Sequence, residues 1–289
     1  MNNKIVKTLA KIGVSILLLY LVFTKIDFNQ VIKLYETSNP FYLALAILLF
    51  MASQFISSLR LNYIFHQNQF HLSQVSNLKL YFVGMFYNFF IPGGVGGDAY
   101  KVYILSKQFG WKPKQLTKCV FVDRLIGLLA IFSLLILMGG YLFFSNSLLF
   151  LVSIVIALAS FFIAKLIMIR VFKNSNTYYN YSFGYSLVIQ LLQVGVIVCI
   201  IKAFQLKVVG IISYCFVFLI SSVLSVVSFA GFGAREYIFL KASTFLNTQE
   251  TIATSIGLSF NIITALISLI GLAFIINKVR LTTVSINNK

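Results

Sequence analysis

Long runs of uncharged, apolar residues recur along the chain, and they constrain its fold more than any other feature. A helix of about 20 apolar residues crosses the hydrocarbon core of a bilayer and satisfies its own backbone hydrogen bonds there. Six runs are long enough to do so. The sequence therefore predicts an all-α, polytopic integral membrane protein. The six runs are Phe41–Leu59, Leu125–Phe144, Ser147–Ala164, Phe183–Ile201, Val208–Ala234 and Thr251–Asn277.

A shorter apolar run, Ile12–Thr24, follows Lys4, Lys7 and Lys11 at the N-terminus. No small-residue cleavage site follows this run, so the sequence predicts a retained first helix instead of a signal peptide. The composition agrees with a membrane location. Hydrophobic residues make up 60% of the chain and charged residues 10%, whereas soluble domains contain about 25% charged residues.

The formal net charge of +17 raises the question of a nucleic-acid partner. In membrane proteins, however, Lys and Arg collect in cytoplasmic loops and set the orientation of the chain. No basic segment with interleaved aromatic residues is present, so we expect no binding to nucleic acid. The basic residues predict a multi-pass protein of the cytoplasmic (inner) membrane with a cytoplasmic N-terminus. This orientation places the loop Lys25–Pro40 outside and Arg60 on the cytoplasmic side.

Residues 78–109 interrupt the series of full spans. Leu78–Ile91 is too short for a comfortable span, and PGGVGG follows at positions 92–97. Proline ends a helix and glycine permits a tight turn. If Ala99–Phe109 returns to the starting side, the lysines that follow stay in the cytoplasm. We therefore predict a re-entrant hairpin, whose non-helical turn must be buried in protein or line a wet cavity.

A second glycine motif, GFGAREY at positions 231–237, matches GVGGDAY at positions 94–100. The match is either a coincidence between two glycine-rich kinks or the trace of an internal duplication, with pseudo-repeats at 1–144 and 145–289. A second hairpin that enters from the opposite side would complete an inverted repeat. Val208–Ala234 is also long enough to span outright, and this alternative stays open.

The predicted architecture is a single transmembrane domain over positions 1–289. It contains about six full spans and two broken or re-entrant glycine-rich hairpins, which together give about eight membrane segments. We expect no soluble catalytic domain.

Five charged residues lie in or beside apolar segments: Asp98, Asp123, Arg124, Arg235 and Glu236. A charge at bilayer depth costs about 2.5–3.5 kcal/mol on insertion scales, so such residues usually have partners or a function. Asp98 caps a helix that begins at Ala99, pairs with an arginine or takes a proton. Arg124 either snorkels to the interface or faces a cavity. Glu236 either balances an arginine or binds a proton.

Arg235 follows a glycine turn at the start of a helical run. Helix N-termini favour anions, and a guanidinium adds bidentate recognition of phosphate. We therefore expect the two hairpins to form a central polar cavity that holds an anionic headgroup. Lys101 either lines this cavity or marks the interface. The candidate substrate-binding residues are Gly93, Gly94, Gly96, Gly97, Asp98, Lys101, Asp123, Arg124, Gly231, Gly233, Arg235 and Glu236. We expect no catalytic residue, no metal and no cofactor.

Three segments together resemble the membrane region of lysylphosphatidylglycerol synthases. They are NFFIPGGVGGDAYKVYIL (88–105), FVDRLIGLL (121–129) and GFGAREYIF (231–239). That family also includes stand-alone, flippase-like proteins. The resemblance implies a helical bundle with broken elements that moves, or helps to move, an anionic lipid between leaflets. Two-domain relatives carry an aminoacyltransferase domain after this region, whereas this chain stops at LTTVSINNK, so we expect no lysyl transfer. Relatives often have prolines where this chain has Ser228, Phe229 and Ala230.

The leading hypothesis is a non-enzymatic transporter of an anionic phospholipid or polyprenyl-linked lipid. One alternative is an enzyme, such as a lipid-linked glycosyltransferase, for which Asp27 and Glu36 are the external carboxylates. Another is an accessory subunit of a lipid-modifying transferase. The expected partners are a membrane lipid, a lipid-modifying enzyme as a second candidate, and a second copy of the chain in a homodimer. A nucleotide enzyme is disfavoured because PGGVGGD lacks the GK[ST] of a phosphate-binding loop.

Overall fold

The computed structural model describes residue 20 and residues 28–90, 96–144, 146–172, 175–206, 210–224, 233–277 and 280–284. These residues form ten α-helices and, apart from one isolated bridge between Leu72 and Thr283, no β-structure. The helices are α1 (Phe28–Glu36), α2 (Pro40–Gln67), α3 (Gln74–Phe90), α4 (Gly96–Phe109), α5 (Pro113–Phe143), α6 (Ser147–Val171), α7 (Ser175–Ala203), α8 (Ile211–Leu224), α9 (Ala234–Lys241) and α10 (Glu250–Ile276).

Five helices are long and apolar enough to cross a membrane: α2, α5, α6, α7 and α10. They correspond to five of the six predicted full spans, so the fold class of an all-helical, polytopic membrane protein is confirmed. The predicted first helix, Ile12–Thr24, lies outside the described residues except for Tyr20, which is helical.

One helix was not predicted. The predicted external loop Lys25–Pro40 contains the short helix α1, which contacts α10. The Tyr35 hydroxyl lies 2.7 Å from Ser259 Oγ, and its ring packs edge-on against Phe204. The sequence run was too polar and too short to stand out, and α1 is held by these tertiary contacts.

Helices α2 and α7 form the antiparallel centre of the bundle and share the most extensive helix–helix contact. At one end Asn39 donates its backbone amide to the Ala203 carbonyl at 2.7 Å. At the other end Tyr63 donates its hydroxyl to the Thr177 carbonyl at 3.3 Å. Because the two helices are long and lie side by side, they bring together polar side chains that are distant in sequence, such as Arg60 and Ser186.

Helices α3 and α4 form the first hairpin. Their lengths of 17 and 14 residues correspond to ~25 Å and ~21 Å, which are shorter than the ~30 Å hydrocarbon core. A Cβ added to Gly97 would overlap the backbone of Gly84, so the two helices approach at a distance that only glycine permits. The rings of Tyr87 and Tyr100 contact each other nearby at a tilt of 58°, with centroids 4.5 Å apart. The turn at residues 91–95 lies outside the described residues.

Helices α8 and α9 occupy the place of the second predicted hairpin. They have 14 and 8 residues, and α9 packs against both α8 and α10. Gly233, immediately before α9, has a φ of 79°, which is in the left-handed region that favours glycine and ends a helical path. Gly233 is therefore not part of a helix that is continuous with α9, and residues 225–232, between α8 and Gly233, lie outside the described residues.

The described C-terminal segment, residues 280–284, packs against the loop between α2 and α3. Ser73 donates its amide to the Thr282 carbonyl at 2.9 Å, and Val284 donates to the His71 carbonyl at 2.9 Å. Gln108 Nε2, near the end of α4, donates to the Leu281 carbonyl at 3.0 Å. This segment therefore connects the base of the first hairpin to the end of α2.

Candidate functional site

Arg60 joins three helices through a buried ion pair. Its Nε and Nη2 atoms donate to the two carboxylate oxygens of Asp123 in α5, at 2.7 Å and 3.0 Å. Its Nη1 atom donates to Ser186 Oγ in α7 at 2.7 Å. Both charged side chains are buried. Either charge would be costly to bury without its partner, and the bidentate pair avoids this cost. The pair and the bond to Ser186 therefore hold α5 against α2 and α7.

Arg60 was predicted to lie on the cytoplasmic side and was not among the predicted site residues. Helix α2 continues beyond Arg60 to Gln67. The apolar residues in this last stretch were the sequence signal that Arg60 lies inside a helix and not in a loop. Asp123 was included in the candidate site, but its partner could not be identified from the sequence because the two residues are 63 positions apart.

Asp98 is shared by two cations. Its Oδ2 atom accepts from Arg124 Nε in α5 at 2.5 Å, and its Oδ1 atom accepts from Lys101 Nζ at 3.2 Å. Helix α4 begins at Gly96, so Asp98 lies within its first turn. The prediction that Asp98 caps a helix beginning at Ala99 was therefore wrong, and the alternative of an arginine partner is confirmed.

Lys101 is buried in the hairpin instead of marking the interface. Its ammonium lies 4.4 Å from the ring centroid of Tyr81 in α3, and its side chain crosses Gly84, where a Cβ would overlap it. The cation therefore has a carboxylate on one side and an aromatic face on the other, both of which stabilise a positive charge away from water.

Arg124 is the least covered member of this group. Its side chain is 52% exposed, whereas the side chain of Asp98 is 9% exposed. The ion pair with Asp98 uses Nε, and within the described part of the chain neither terminal nitrogen of Arg124 donates a hydrogen bond. The guanidinium thus keeps two donor groups toward its open side.

A groove of about 680 Å³ runs between α4 and α5. Asp98 and Arg124 line one end of this groove, Lys107 lies toward the other, and most of its wall is apolar, with Val102, Val120 and Phe121 as examples. This volume is within the usual range of ligand sites, about 300–1,000 Å³. An apolar groove with a cation at each end suits a molecule with an apolar part and an anionic group.

A second polar cluster lies at the start of α9. Arg235 donates through Nη1 to Asn261 Oδ1 in α10, and Asn261 Nδ2 donates to Glu236 Oε1 at 2.8 Å. The guanidinium also faces the ring of Phe260, 4.4 Å from its centroid, and that of Phe218 at 5.5 Å. In the described helices Arg235 and Glu236 form no direct ion pair. Asn261, which the sequence analysis did not include, bridges them.

The structure separates the predicted site residues into these two clusters. Four of them, Asp98, Lys101, Asp123 and Arg124, lie in the first cluster together with Arg60. Gly233, Arg235 and Glu236 lie in the second cluster. The groove is lined by residues of α4 and α5 with none from α9, whereas the predicted site was one central cavity between both hairpins.

The predicted glycine donors divide into described and undescribed positions. Gly93, Gly94 and Gly231 lie outside the described residues. Gly96 begins α4. The amide of Gly97 donates to Asn88 Oδ1 at 2.8 Å, and that of Gly233 donates to Glu236 Oε2 at 2.9 Å. These two amides are therefore hydrogen-bonded inside the protein in this conformation, and any role in headgroup binding stays a prediction.

A family model described as the lysylphosphatidylglycerol synthase TM region matches residues 8–271, which include both polar clusters and the groove. A comparison with curated proteins finds no match.

Proposed function

The chain belongs to the lysylphosphatidylglycerol synthase TM region family, whose members are membrane proteins related to lipid handling, and we propose on this basis that it moves an anionic lipid across the cytoplasmic membrane. The lipid is a phospholipid or a polyprenyl-linked lipid with a negatively charged headgroup. The orientation that we propose has a cytoplasmic N-terminus.

The observation that carries this proposal is the groove that ends at Arg124. A lipid needs an apolar surface for its acyl chains and a polar, positively charged position for its phosphate. The groove between α4 and α5 has both, since its wall is largely apolar and Arg124 lies at its end. The two terminal nitrogens of Arg124, which bond to no other described residue, match the bidentate recognition of a phosphate.

The position of Arg124 along its helix fits a carrier. Helix α5 begins at Pro113, and Arg124 lies about three turns later, ~16 Å along the axis and immediately before the apolar run Leu125–Phe144. Lys107 lines the groove toward the other end. A headgroup that enters beside Lys107 would therefore reach Arg124 at the start of the apolar core, where a cation lowers the cost of bringing a phosphate into the hydrocarbon region.

The ion pair with Asp98 prepares Arg124 for this role. A free guanidinium in an apolar groove would adopt many conformations and would be costly to desolvate. Asp98 binds Nε and leaves the terminal nitrogens toward the groove. The Arg60–Asp123 pair holds α5, and hence the backbone that carries Arg124, against α2 and α7. Arg124 contacts the lipid in this proposal, and the other charged residues position it.

A vesicle assay tests the proposal. The full chain is reconstituted with fluorescently labelled phosphatidylglycerol, and exchange between leaflets is measured by quenching from one side. Arg124→Gln is expected to lower exchange by about tenfold or more, because the phosphate loses its charged partner. Arg170→Gln is the matched control, since Arg170 is exposed near the end of α6.

Equal exchange by wild type and Arg124→Gln would contradict the proposal. Exchange that appears only after a copurified transferase is added would favour the accessory-subunit alternative. Turnover of the headgroup by the chain alone would favour the enzyme alternative.

A further inference from the structure

The charges at the Arg124 end of the groove do not cancel. Arg60 and Asp123 neutralise each other through two hydrogen bonds. Asp98 is the only carboxylate that contacts Lys101 and Arg124 among the described residues, and it lies 3.2 Å and 2.5 Å from their nitrogens. One positive charge is therefore left over where Arg124 meets the groove.

The geometry also limits how much negative charge can be added. Asp98 binds the same guanidinium that would bind a phosphate, so a phosphate on the terminal nitrogens lies only a few ångströms from the Asp98 carboxylate. Like charges repel strongly at this distance because an apolar wall screens them poorly. A single negative charge balances the leftover cation, whereas a second one meets Asp98 without a counterion.

We propose that Asp98 restricts the groove to headgroups with one negative charge. The preferred substrate class is a phosphodiester lipid, and lipids that end in a phosphomonoester or a diphosphate are disfavoured. This inference rests on the proposed function and narrows its substrate. Asp98 acts here as a positioning and specificity-determining residue, because its carboxylate binds Arg124 and its charge lies at the end of the groove.

A competition experiment with two lipids of equal acyl chains tests the inference. The purified full chain binds fluorescent phosphatidylglycerol in a zwitterionic detergent–lipid micelle at about pH 8, where a phosphomonoester carries a charge near −2. Unlabelled phosphatidylglycerol, a phosphodiester, or phosphatidic acid, a phosphomonoester, then displaces it. Wild type is expected to prefer phosphatidylglycerol by about tenfold, which is a modest effect for one unbalanced charge near Asp98.

Two variants change the charge in opposite directions. Asp98→Asn raises the net charge of the cluster, so the preference is expected to disappear or to reverse in favour of phosphatidic acid. Lys101→Met lowers the net charge, so the binding of both lipids is expected to weaken while the preference for phosphatidylglycerol grows. Glu250→Gln is the control for loss of a negative charge elsewhere, since Glu250 is exposed at the start of α10.

The outcomes separate this inference from the proposed function. Saturable binding of both lipids with equal affinity in wild type would overturn the inference alone. A fall of both affinities by the same factor in Asp98→Asn, with an unchanged ratio, would overturn it too, because a purely structural role gives that result. If Asp98→Asn does not fold, the predicted rise in preference for Lys101→Met decides the question. No saturable binding of either lipid by wild type would overturn the proposed function as well.

Discussion

Asp98 in α4 accepts a hydrogen bond of 2.5 Å from Arg124 in α5, and these two residues are 26 positions apart. Arg235 in α9 donates to Asn261 in α10, also 26 positions later. The second pair follows the first by the same sequence offset that relates the two glycine motifs. In both places a short helix after a glycine motif is bonded through its first turn to the long helix that follows.

This agreement is what an internal duplication would produce, although the boundaries of the pseudo-repeats at residue 144 stay a prediction. The two halves differ in chemistry. The first pair is an ion pair beside a groove, with half of the Arg124 side chain uncovered. In the second pair Arg235 is buried between two phenylalanine rings. We therefore expect substitutions in the first half to change lipid exchange and those in the second to change stability.

The Arg60–Asp123 pair gives a first prediction about stability. Arg60→Met leaves Asp123 buried without its cation, so the protein should lose about 3–5 kcal/mol of folding free energy. The double variant Arg60→Met/Asp123→Leu removes both charges and should recover most of this loss. Thermal unfolding of the purified protein in detergent, followed by intrinsic fluorescence, measures both effects. Arg170→Met is the matched control, and equal losses in the single and double variants would show that the ion pair is not the cause.

The close approach of α3 and α4 gives a second prediction. Gly97→Ala places a methyl group against the backbone of Gly84, so the two helices must move apart to accommodate it. The expected cost is about 1–3 kcal/mol, because overpacking forces the backbone apart. Gly184→Ala is the control, since a Cβ there meets nothing within 4 Å and alanine favours a helix by up to about 1 kcal/mol. Unfolding midpoints that fall equally in both variants would contradict the assigned contact.

The Asn261 bridge gives a third prediction. Asn261→Leu keeps a similar volume but removes a partner from Arg235 and from Glu236, both of which are buried. We expect a loss on the order of 3 kcal/mol, because buried charged groups lose hydrogen bonds that nothing replaces. Unfolding midpoints measure this loss, and leaflet exchange per folded molecule should stay close to that of wild type. The reverse pattern is expected for Arg124→Gln, and reduced exchange with normal stability in Asn261→Leu would place the second cluster in the lipid path.

Much of the fold could be predicted because the bilayer imposes a simple rule on sequence. Each full span must be an apolar helix of about 20 residues, so the five observed long helices are visible as uncharged runs. The broken segments could be located as well, since glycine and proline mark the places where a helix must stop. The ends of the helices could not. Helix α5 begins at Pro113, well before its apolar run starts at Leu125, because the headgroup region tolerates lysines that the apolar pattern excludes.

The candidate site could be predicted only in part. Charged residues within apolar segments were identifiable as important, since their burial cost requires a partner, and Asp98, Asp123 and Arg124 were found in this way. Arg60 and Asn261 were not. Arg60 resembled a loop residue at the end of a span, and Asn261 is an uncharged polar residue inside an apolar run.

By itself the sequence determined that this chain is a helical membrane protein with two interrupted segments, because hydrophobic length and helix-breaking residues are local properties. Which charges pair was decided only by the tertiary structure. Arg60 meets Asp123, and Asp98 meets Arg124, through contacts between helices that are distant in sequence. The position of the groove was also decided by the tertiary structure. It depends on the distance between two packed helices, which the sequence of neither helix determines alone.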